Sequence, residues 1–307
     1  MKILVTGGAG FIGSHIVNTY INAGHAVTVI DDLSSGNKKF INPKANFYHL
    51  SINSPKVKTI LEKEKITVIN HHAAQISVTD SVSDPLFDAN SNIIGTLQLL
   101  QNAVSLKVEK FIFASTGGAM YGEQKKFPAS EEHPCQPLSP YGISKLSAEH
   151  YINYYGMQHG LNTTIFRYSN VYGPCQNPHG EAGVVAIFCQ KLIEGTPPII
   201  WGDGEQTRDF ISVRDIAKAN SVALNPQCTG VFNVGTGNET SVNFIAQSLL
   251  KISKTDLIAK YGPQKKGEQR RSSIDSKKLI KNFGWKSSIS LEEGLVETFN
   301  YFKDEIS

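Results

Sequence analysis

Thr6-Gly7-Gly8-Ala9-Gly10-Phe11-Ile12-Gly13 lies between an apolar run, Ile3–Thr6, and a stretch, Phe11–Ala23, with helical character. The glycines recur as Gly7-x-x-Gly10-x-x-Gly13. Gly7 permits a tight turn, Gly10 lets backbone approach a pyrophosphate, and Gly13 lets the helix pack close to the strand. The helix N-terminus adds unpaired N–H groups and a positive dipole end, both suited to an anion. A glycine triplet alone says little; strand–turn–helix context gives it meaning. Asp31 follows the next apolar run, Ala26–Ile30. A carboxylate there accepts hydrogen bonds from ribose hydroxyls and repels a 2′-phosphate, which favours NAD over NADP. The plainer alternative is a βαβ turn with an incidental Asp.

Outward from this turn, strands and helices alternate. Phe47–Leu50, Thr67–Asn70 and Phe111–Ala114 are expected strands; Pro55–Lys65 and Pro85–Val104 are expected helices. Such alternation implies parallel strands with crossovers, hence an α/β fold with a doubly wound parallel sheet of Rossmann type. The strands are apolar without alternation, as when both faces are covered. After Ile165–Tyr168 the pattern loosens. Asn170–Gly180, rich in Gly, Pro, Asn and His, is expected to be a loop. Helices are expected at Val184–Glu194 and Val213–Leu224, with breaks at Gly235–Asn238 and Gly262–Gly267. The remainder reads as a smaller C-terminal α/β lobe at one edge of the sheet. The expected division is 1–169 plus roughly 210–236 for the cofactor domain, and 170–209 with 237–307 for the substrate lobe.

The chain has 307 residues, 40% hydrophobic and 19% charged, with room for one large domain or two moderate ones. A net charge of +3 without a dense Lys/Arg run gives no nucleic-acid surface. Lys265-Lys266 and Arg270-Arg271 read as solvated loop. No apolar stretch approaches the ~18 residues of a membrane span. Met1-Lys2 leads straight into a strand, so a cytoplasmic protein is expected. Cys135, Cys175, Cys189 and Cys228 are scattered and read as reduced packing thiols. Neighbours on a strand face opposite ways, so His71-His72 is read as structural, and no metal is expected.

Tyr141-Gly-Ile-Ser-Lys145 puts Tyr and Lys on one helix face, after a helix-starting Pro140. A phenol with a pKa near ~10 is a poor base at neutral pH. A neighbouring ammonium and a positive nicotinamide ring would lower it, making Tyr141 a workable acid/base. The motif alone is common on helices. Here Ser115-Thr116-Gly117-Gly118 also follows a strand, at the carboxyl end where doubly wound sheets bind ligands. Glycine loop, strand-end hydroxyl and Tyr/Lys helix occur in the order expected for one crevice.

At these residues the chain resembles the extended short-chain dehydrogenase/reductases and, within them, the UDP-glucose 4-epimerase family, over nearly its whole length. The resemblance runs through Thr6–His15, Asp31–Asn37, His71–Val78, Asn92–Thr96, Tyr141–Lys145, Arg167–Pro174 and Gly202–Asp215. It implies that Gly7, Gly10, Phe11, Ile12 and Gly13 cradle the NAD pyrophosphate. Asp31, Asp32, Ser34, Ser35 and Gly36 would hold the adenosine end, with Ser51 and Ile52 at the adenine. Ala73, Ala74, Gln75, Asn92 and Tyr168 would line the cofactor groove. Thr116, Tyr141 and Lys145 would be catalytic. Gly117, Gly118, Asn170, Val184, Val185, Trp201, Arg208, Lys265, Glu268 and Ser273 would hold a UDP-sugar. Arg208 suits the diphosphate, because a guanidinium binds phosphate oxygens bidentately. A homodimer is also implied.

The chain departs from the family's pattern at Ser51, where Asp is usual, at Lys265, where Arg is usual, and at Ser169, where Phe is frequent. Ser273 replaces a bulky aromatic, as in relatives that also accept N-acetylhexosamines. The implied reaction is oxidation at C4 of the sugar, rotation of a bound 4-keto sugar, and reduction from the opposite face. A 4,6-dehydratase needs an Asp-Glu pair after the Thr, where Gly117-Gly118 stand. Epimerases of UDP-glucuronate or a pentose remain open. A non-catalytic NAD-binding regulator is disfavoured by the presence of both Tyr141 and Lys145.

Overall fold

The computed structural model describes residues 1–179, 183–264 and 269–306. Strand β1 (Lys2–Thr6) enters α1 (Phe11–Asn22), followed by β2 (Ala26–Asp31), β3 (Asn46–His49), α2 (Lys56–Glu64) and β4 (Val68–His71). Next come α3 (Val78–Ser83), α4 (Pro85–Ala89) and α5 (Gly95–Ser105), then β5 (Lys110–Thr116), α6 (Gly117–Met120), α7 (Pro140–His159) and β6 (Asn162–Tyr168). β7 (Asn170–Tyr172), α8 (Val184–Ile193), β8 (Ile199–Trp201), β9 (Thr207–Arg208), β10 (Phe210–Ser212), α9 (Val213–Ala223) and β11 (Gly230–Val234) follow. The chain ends with β12 (Thr240–Ser241), α10 (Val242–Ser253), β13 (Lys260–Gly262), β14 (Arg271–Ser272), α11 (Lys277–Phe283) and α12 (Leu291–Ile306).

The main sheet has seven strands in the order β11-β6-β5-β4-β1-β2-β3, all paired in parallel. This is the expected doubly wound arrangement, Rossmann-like with β11 as an additional edge. The order reverses at β1, so the crevice beyond the carboxyl ends of β1 and β4 is where a ligand fits.

Both faces are covered because side chains alternate along each strand. In β1, Ile3 and Val5 enter a core with Ile16, Val17 and Tyr20 of α1 and Ile216 and Ala219 of α9. Leu4 enters the opposite core with Val57, Leu61, Leu99, Leu100, Ala148 and Ile152. Each fully buried aliphatic side chain contributes about 1.5–3 kcal/mol. A third core lies outside the sheet: Val185, Phe188 and Leu192 of α8 meet Ile245 and Leu249 of α10 and Leu295, Phe299 and Phe302 of α12. Leu279 and Trp285 pack instead with the first sheet-side core. No described helix is long and apolar enough to cross a membrane.

Two sequence expectations need correction. The helix expected over Pro85–Val104 is interrupted by a π-helical turn, Asn90–Ile94. That turn carries Asn92, whose amide is drawn towards Gln75, Asp88 and Ser144. Hydrophobic periodicity does not report such a side-chain pull. Asn170–Tyr172, expected as loop, is a strand paired with β10; three residues are too few to show a period. Gly262 is the last residue of β13, so the expected break starts after it, and 265–268 lie outside the described residues. α3 was not foreseen: it is short, and its start is signalled only by Ser77, whose hydroxyl accepts from the Asp80 N–H.

Candidate active site

The glycine turn is built by close approach. Gly7 has φ +69, and a Cβ there would sit 2.7 Å from the Ala73 nitrogen. A Cβ on Gly13 would lie 2.1 Å from the Gly7 carbonyl oxygen. Gly10 differs: its Cβ would meet only that same oxygen, at 3.2 Å, so the space outside the turn is open to a ligand. The Thr6 hydroxyl accepts the Ala73 N–H at 3.2 Å and lies 2.7 Å from Nδ1 of His71, tying β1 to β4.

Asp31 is buried at the end of β2; Oδ2 accepts from Ala9 N at 2.9 Å and Oδ1 from Leu33 N at 2.8 Å. A carboxylate has about four acceptor positions, so capacity remains for ribose hydroxyls. Burial raises its pKa, against the backbone N–H groups that favour the anion. Asp32 organises Ser34 by accepting from its N–H at 3.0 Å and its hydroxyl at 2.6 Å. The next turn folds back on the glycine loop, with Asn37 N donating to Ala9 O at 2.9 Å. A Cβ on Gly36 would fall 2.9 Å from Asp31 Oδ1. Ser51 Oγ accepts from Asn53 N at 3.3 Å, beside buried Ile52. The glycine cradle and the acidic residue behind it fit a dinucleotide with free ribose hydroxyls.

Gln75 and Asn92 brace each other: Gln75 N donates to Asn92 Oδ1 at 3.0 Å and Asn92 Nδ2 to Gln75 O at 2.9 Å. Asn92 is buried and its amide is taken up by these contacts, so its own side chain orders the wall carrying Ala73, Ala74 and Gln75. The Tyr168 hydroxyl is engaged by Asn220 Nδ2 at 2.8 Å and lies 3.2 Å from His72 Nε2. His71 lies 3.0 Å from the Thr96 hydroxyl. No three His, Cys, Asp or Glu side chains cluster as metal ligands among the described residues.

Thr116 ends β5, and α7, which packs on that strand, carries Tyr141 and Lys145. Thr116 caps α6, its hydroxyl accepting from Ala119 N at 3.2 Å. Ser139 caps α7, accepting from Gly142 N at 3.2 Å, with Pro140 in the first turn. Lys145 Nζ donates to Ala114 O at 3.1 Å and stands 4.7 Å over the Phe113 ring. Burial lowers the Lys145 pKa to about 8. Burial and then the negative charge of Asp88 raise the Tyr141 pKa. In the protein alone desolvation sets the direction of the Tyr141 shift.

Asn170 Oδ1 would lie 3.6 Å from a Cβ on Gly118, which places Asn170 beside the Thr116–Gly118 turn. Val185 is wholly buried in the lobe core, so only its backbone can face a ligand. With Val184 it forms the first turn of α8, whose N–H groups lack intrahelical partners. Trp201 is 40% exposed beside a small pocket with Gly202, Asp203, Gln206, Gln264, Gln269 and Arg270. Arg208 pairs with Ser272 across β9 and β14, next to Ser273. Ser273 is 1% exposed; its N–H donates to Gln124 Oε1 at 3.1 Å, and its hydroxyl has no partner. Lys265 and Glu268 lie outside the described residues. Arg270 holds Asp203 through two bonds of 2.7 and 3.0 Å, and Arg271 holds Glu239 at 2.6 Å.

Two buried hubs were missed from sequence. Glu149 accepts from the Ser115 hydroxyl at 2.5 Å and pairs with Arg167, whose Nη1 donates to Tyr121 Oη at 3.0 Å. Asp209 accepts from Thr236 N, Thr236 Oγ1, Gly237 N and Ile274 N, anchoring the residue next to Ser273. The available signal for Glu149 was its spacing, one helical step of four beyond Lys145. Asp209 gave none, because its partners are distant in sequence.

A profile of the NAD dependent epimerase/dehydratase family matches residues 3–235. Among solved structures, the chain is 46% identical to a UDP-glucose 4-epimerase of Thermotoga maritima, determined with UDP-glucose, at TM-score 0.97 with 100% of both chains covered. It is 38% identical to a Thermus thermophilus UDP-glucose 4-epimerase in complex with NAD, at TM-score 0.93 with 99% of both chains covered. It is 34% identical to a UDP-N-acetylglucosamine 4-epimerase of Methanobrevibacter ruminantium, at TM-score 0.94 with 99% of this chain and 98% of that one covered. The chain belongs to the NAD-dependent epimerase/dehydratase family and, within it, to the UDP-glucose 4-epimerase family.

Proposed function

We propose that this protein is an NAD-dependent enzyme that interconverts UDP-glucose and UDP-galactose, and UDP-GlcNAc and UDP-GalNAc, by 4-epimerisation. The observation that carries the reading is that Thr116 ends β5 while α7, packed on that strand, bears Tyr141 and Lys145, with the glycine cradle at the end of β1 on the same side of the sheet. Bound NAD supplies the acceptor and donor of the C4 hydrogen, while Gly7, Gly10, Phe11, Ile12, Gly13 and Asp31 hold it. Tyr141 takes the proton from the sugar 4-hydroxyl as that carbon is oxidised, and returns it after the 4-keto sugar has turned over. Thr116 bonds the same oxygen and aligns it with Tyr141. Lys145, charged below about pH 8, stabilises the phenolate.

Arg208, Asn170 and the first turn of α8 anchor the diphosphate, and Trp201 offers its indole face to the base. Firm anchoring at the diphosphate leaves the sugar free to rotate. Ser273 supports acceptance of N-acetylhexosamines, because a small side chain leaves room beside the sugar. Lys265 and Glu268 complete the proposed substrate contacts. The cofactor domain spans 1–169 plus roughly 210–236, and the substrate lobe 170–209 and 237–307.

A homodimer is part of this reading. Leu86, Phe87 and Ile94 near α4 and Ile143, Tyr151, Tyr154 and Met157 of α7 are exposed on adjoining helices. Exposed apolar side chains on adjoining helices favour a second copy of the chain. Leu86→Glu with Met157→Lys should give a monomer in sedimentation; an unchanged dimer would place the interface elsewhere. The four free thiols are in keeping with a cytoplasmic location.

The test is incubation of the purified protein, with no added NAD, separately with UDP-glucose, UDP-GlcNAc and UDP-glucuronate. The 4-epimers of the first two are expected. Turnover of UDP-glucose alone would overturn the Ser273 argument, and turnover of UDP-glucuronate alone would change the substrate.

A further inference from the structure

The turn carrying Tyr141 and Lys145 is gripped by a carboxylate that the reaction described above does not use. Asp88 is 1% exposed and lies in α4, which packs on α7. Its Oδ1 accepts from Asn92 Nδ2 at 3.0 Å. Asn92 Nδ2 lies 3.2 Å from Ser144 Oγ. Ser144 directly precedes Lys145, and its hydroxyl is 2.9 Å from the Tyr141 carbonyl oxygen. The π-helical turn at Asn90–Ile94 is what brings Asn92 round to make this bridge.

A carboxylate this far from water persists when a cation compensates it. Lys145, also buried, is that cation. The other titratable groups facing Lys145 are Glu149 and Tyr141 of its own helix and His71 and His72 at the end of β4. Glu149 is committed to Arg167, and both histidines are held neutral by burial.

We propose that Asp88 is a positioning residue of the reaction: through Asn92 and Ser144 it sets the turn that carries Tyr141 and Lys145, and its charge sets the pH range in which the pair works. The proposal rests on the reading of Tyr141 and Lys145 given above. The sign follows from the charge. A negative Asp88 disfavours the Tyr141 phenolate and favours the Lys145 ammonium, so it raises both proton affinities. Neutralising it lowers both, and the activity profile moves towards acid on both limbs.

The experiment is ultraviolet titration of tyrosinate on the NAD-bound protein, taken as the difference between each form and the same form carrying Tyr141→Phe. Asp88→Asn should lower the Tyr141 midpoint by about one pH unit, with the kcat/KM profile moving the same way. Ser144→Ala, which keeps the charge and breaks the bridge, should lower kcat and leave the midpoint in place. An unmoved midpoint in folded Asp88→Asn overturns the proposal. If that variant does not fold, Asp88→Glu decides: it should keep the wild-type midpoint, and a shifted one overturns the proposal. The titration needs no turnover, so its outcome is separable from the sugar assay. Normal epimerisation with an unmoved midpoint removes Asp88 alone. A moved midpoint without epimerisation removes the sugar assignment alone.

Discussion

The Glu149 carboxylate and the Arg167 guanidinium face each other bidentately inside the molecule, with Nε to Oε1 at 3.0 Å and Nη2 to Oε2 at 2.6 Å. The pair joins α7 to β6 directly beneath Ser115, and through Tyr121 and Asn233 it reaches the carbonyl oxygens of Ala129 and Asp275. Removing one partner strands the other charge out of water. Glu149→Gln should therefore destabilise the fold by about 3–5 kcal/mol in urea unfolding. The double variant Glu149→Gln/Arg167→Met should recover a large part of that loss; full additivity of the two losses would show that the groups act independently.

Tyr141→Phe should abolish epimerisation and leave NAD in place, because in the proposed reaction the phenol oxygen moves the proton while the cradle lies at the end of β1. Chromatography of the products and the cofactor content of the purified variant check the two halves separately. Activity near that of the parent would exclude Tyr141 as the proton carrier.

The glycines of the cradle should separate by role. A methyl at Gly13 would overlap the Gly7 carbonyl oxygen at 2.1 Å, so Gly13→Ala should cost about 1–3 kcal/mol of stability. A methyl at Gly10 meets protein only at 3.2 Å. Gly10→Ala should fold almost as well as the parent and bind NAD more weakly. Thermal unfolding with and without NAD distinguishes the two variants; equal losses of stability would contradict the assigned roles.

Stability should fall on acidification below about pH 6.5, the ordinary histidine value. Burial holds His72 near 3, and His71 well below the usual range. Between the folded and unfolded values the unfolded chain binds the proton and the folded chain does not. Each such histidine then removes up to ~1.4 kcal/mol per pH unit as the pH falls through that window. His72→Gln should flatten this slope between pH 6 and 4, measured by urea unfolding at each pH. An unchanged slope would mean that His72 is protonated without unfolding.

Local patterns carried much of this protein. Ile3–Thr6 and the glycine turn, Asp31, and the Tyr141/Lys145 spacing are each decided by residues within a few positions of one another. Steric rules for glycine and the period of a helix apply to them before any tertiary contact forms. Asn92 shows the limit. Its residues read as part of one long helix, yet a hydrogen-bond partner 17 residues away in Gln75 and another 52 away in Ser144 turn the backbone into a π-helical turn.

Legible in local patterns were the doubly wound sheet, the glycine turn after β1 and the placing of Tyr141 and Lys145 one helical turn apart on α7. Tertiary structure alone decided the electrostatics of that pair: the low proton affinity of Lys145, the raised one of Tyr141, and the carboxylates of Asp88 and Glu149 around them. The physical reason is that periodicity and glycine spacing are local. The free energy of a buried charge depends on water excluded, and on charges supplied, by segments far away along the chain.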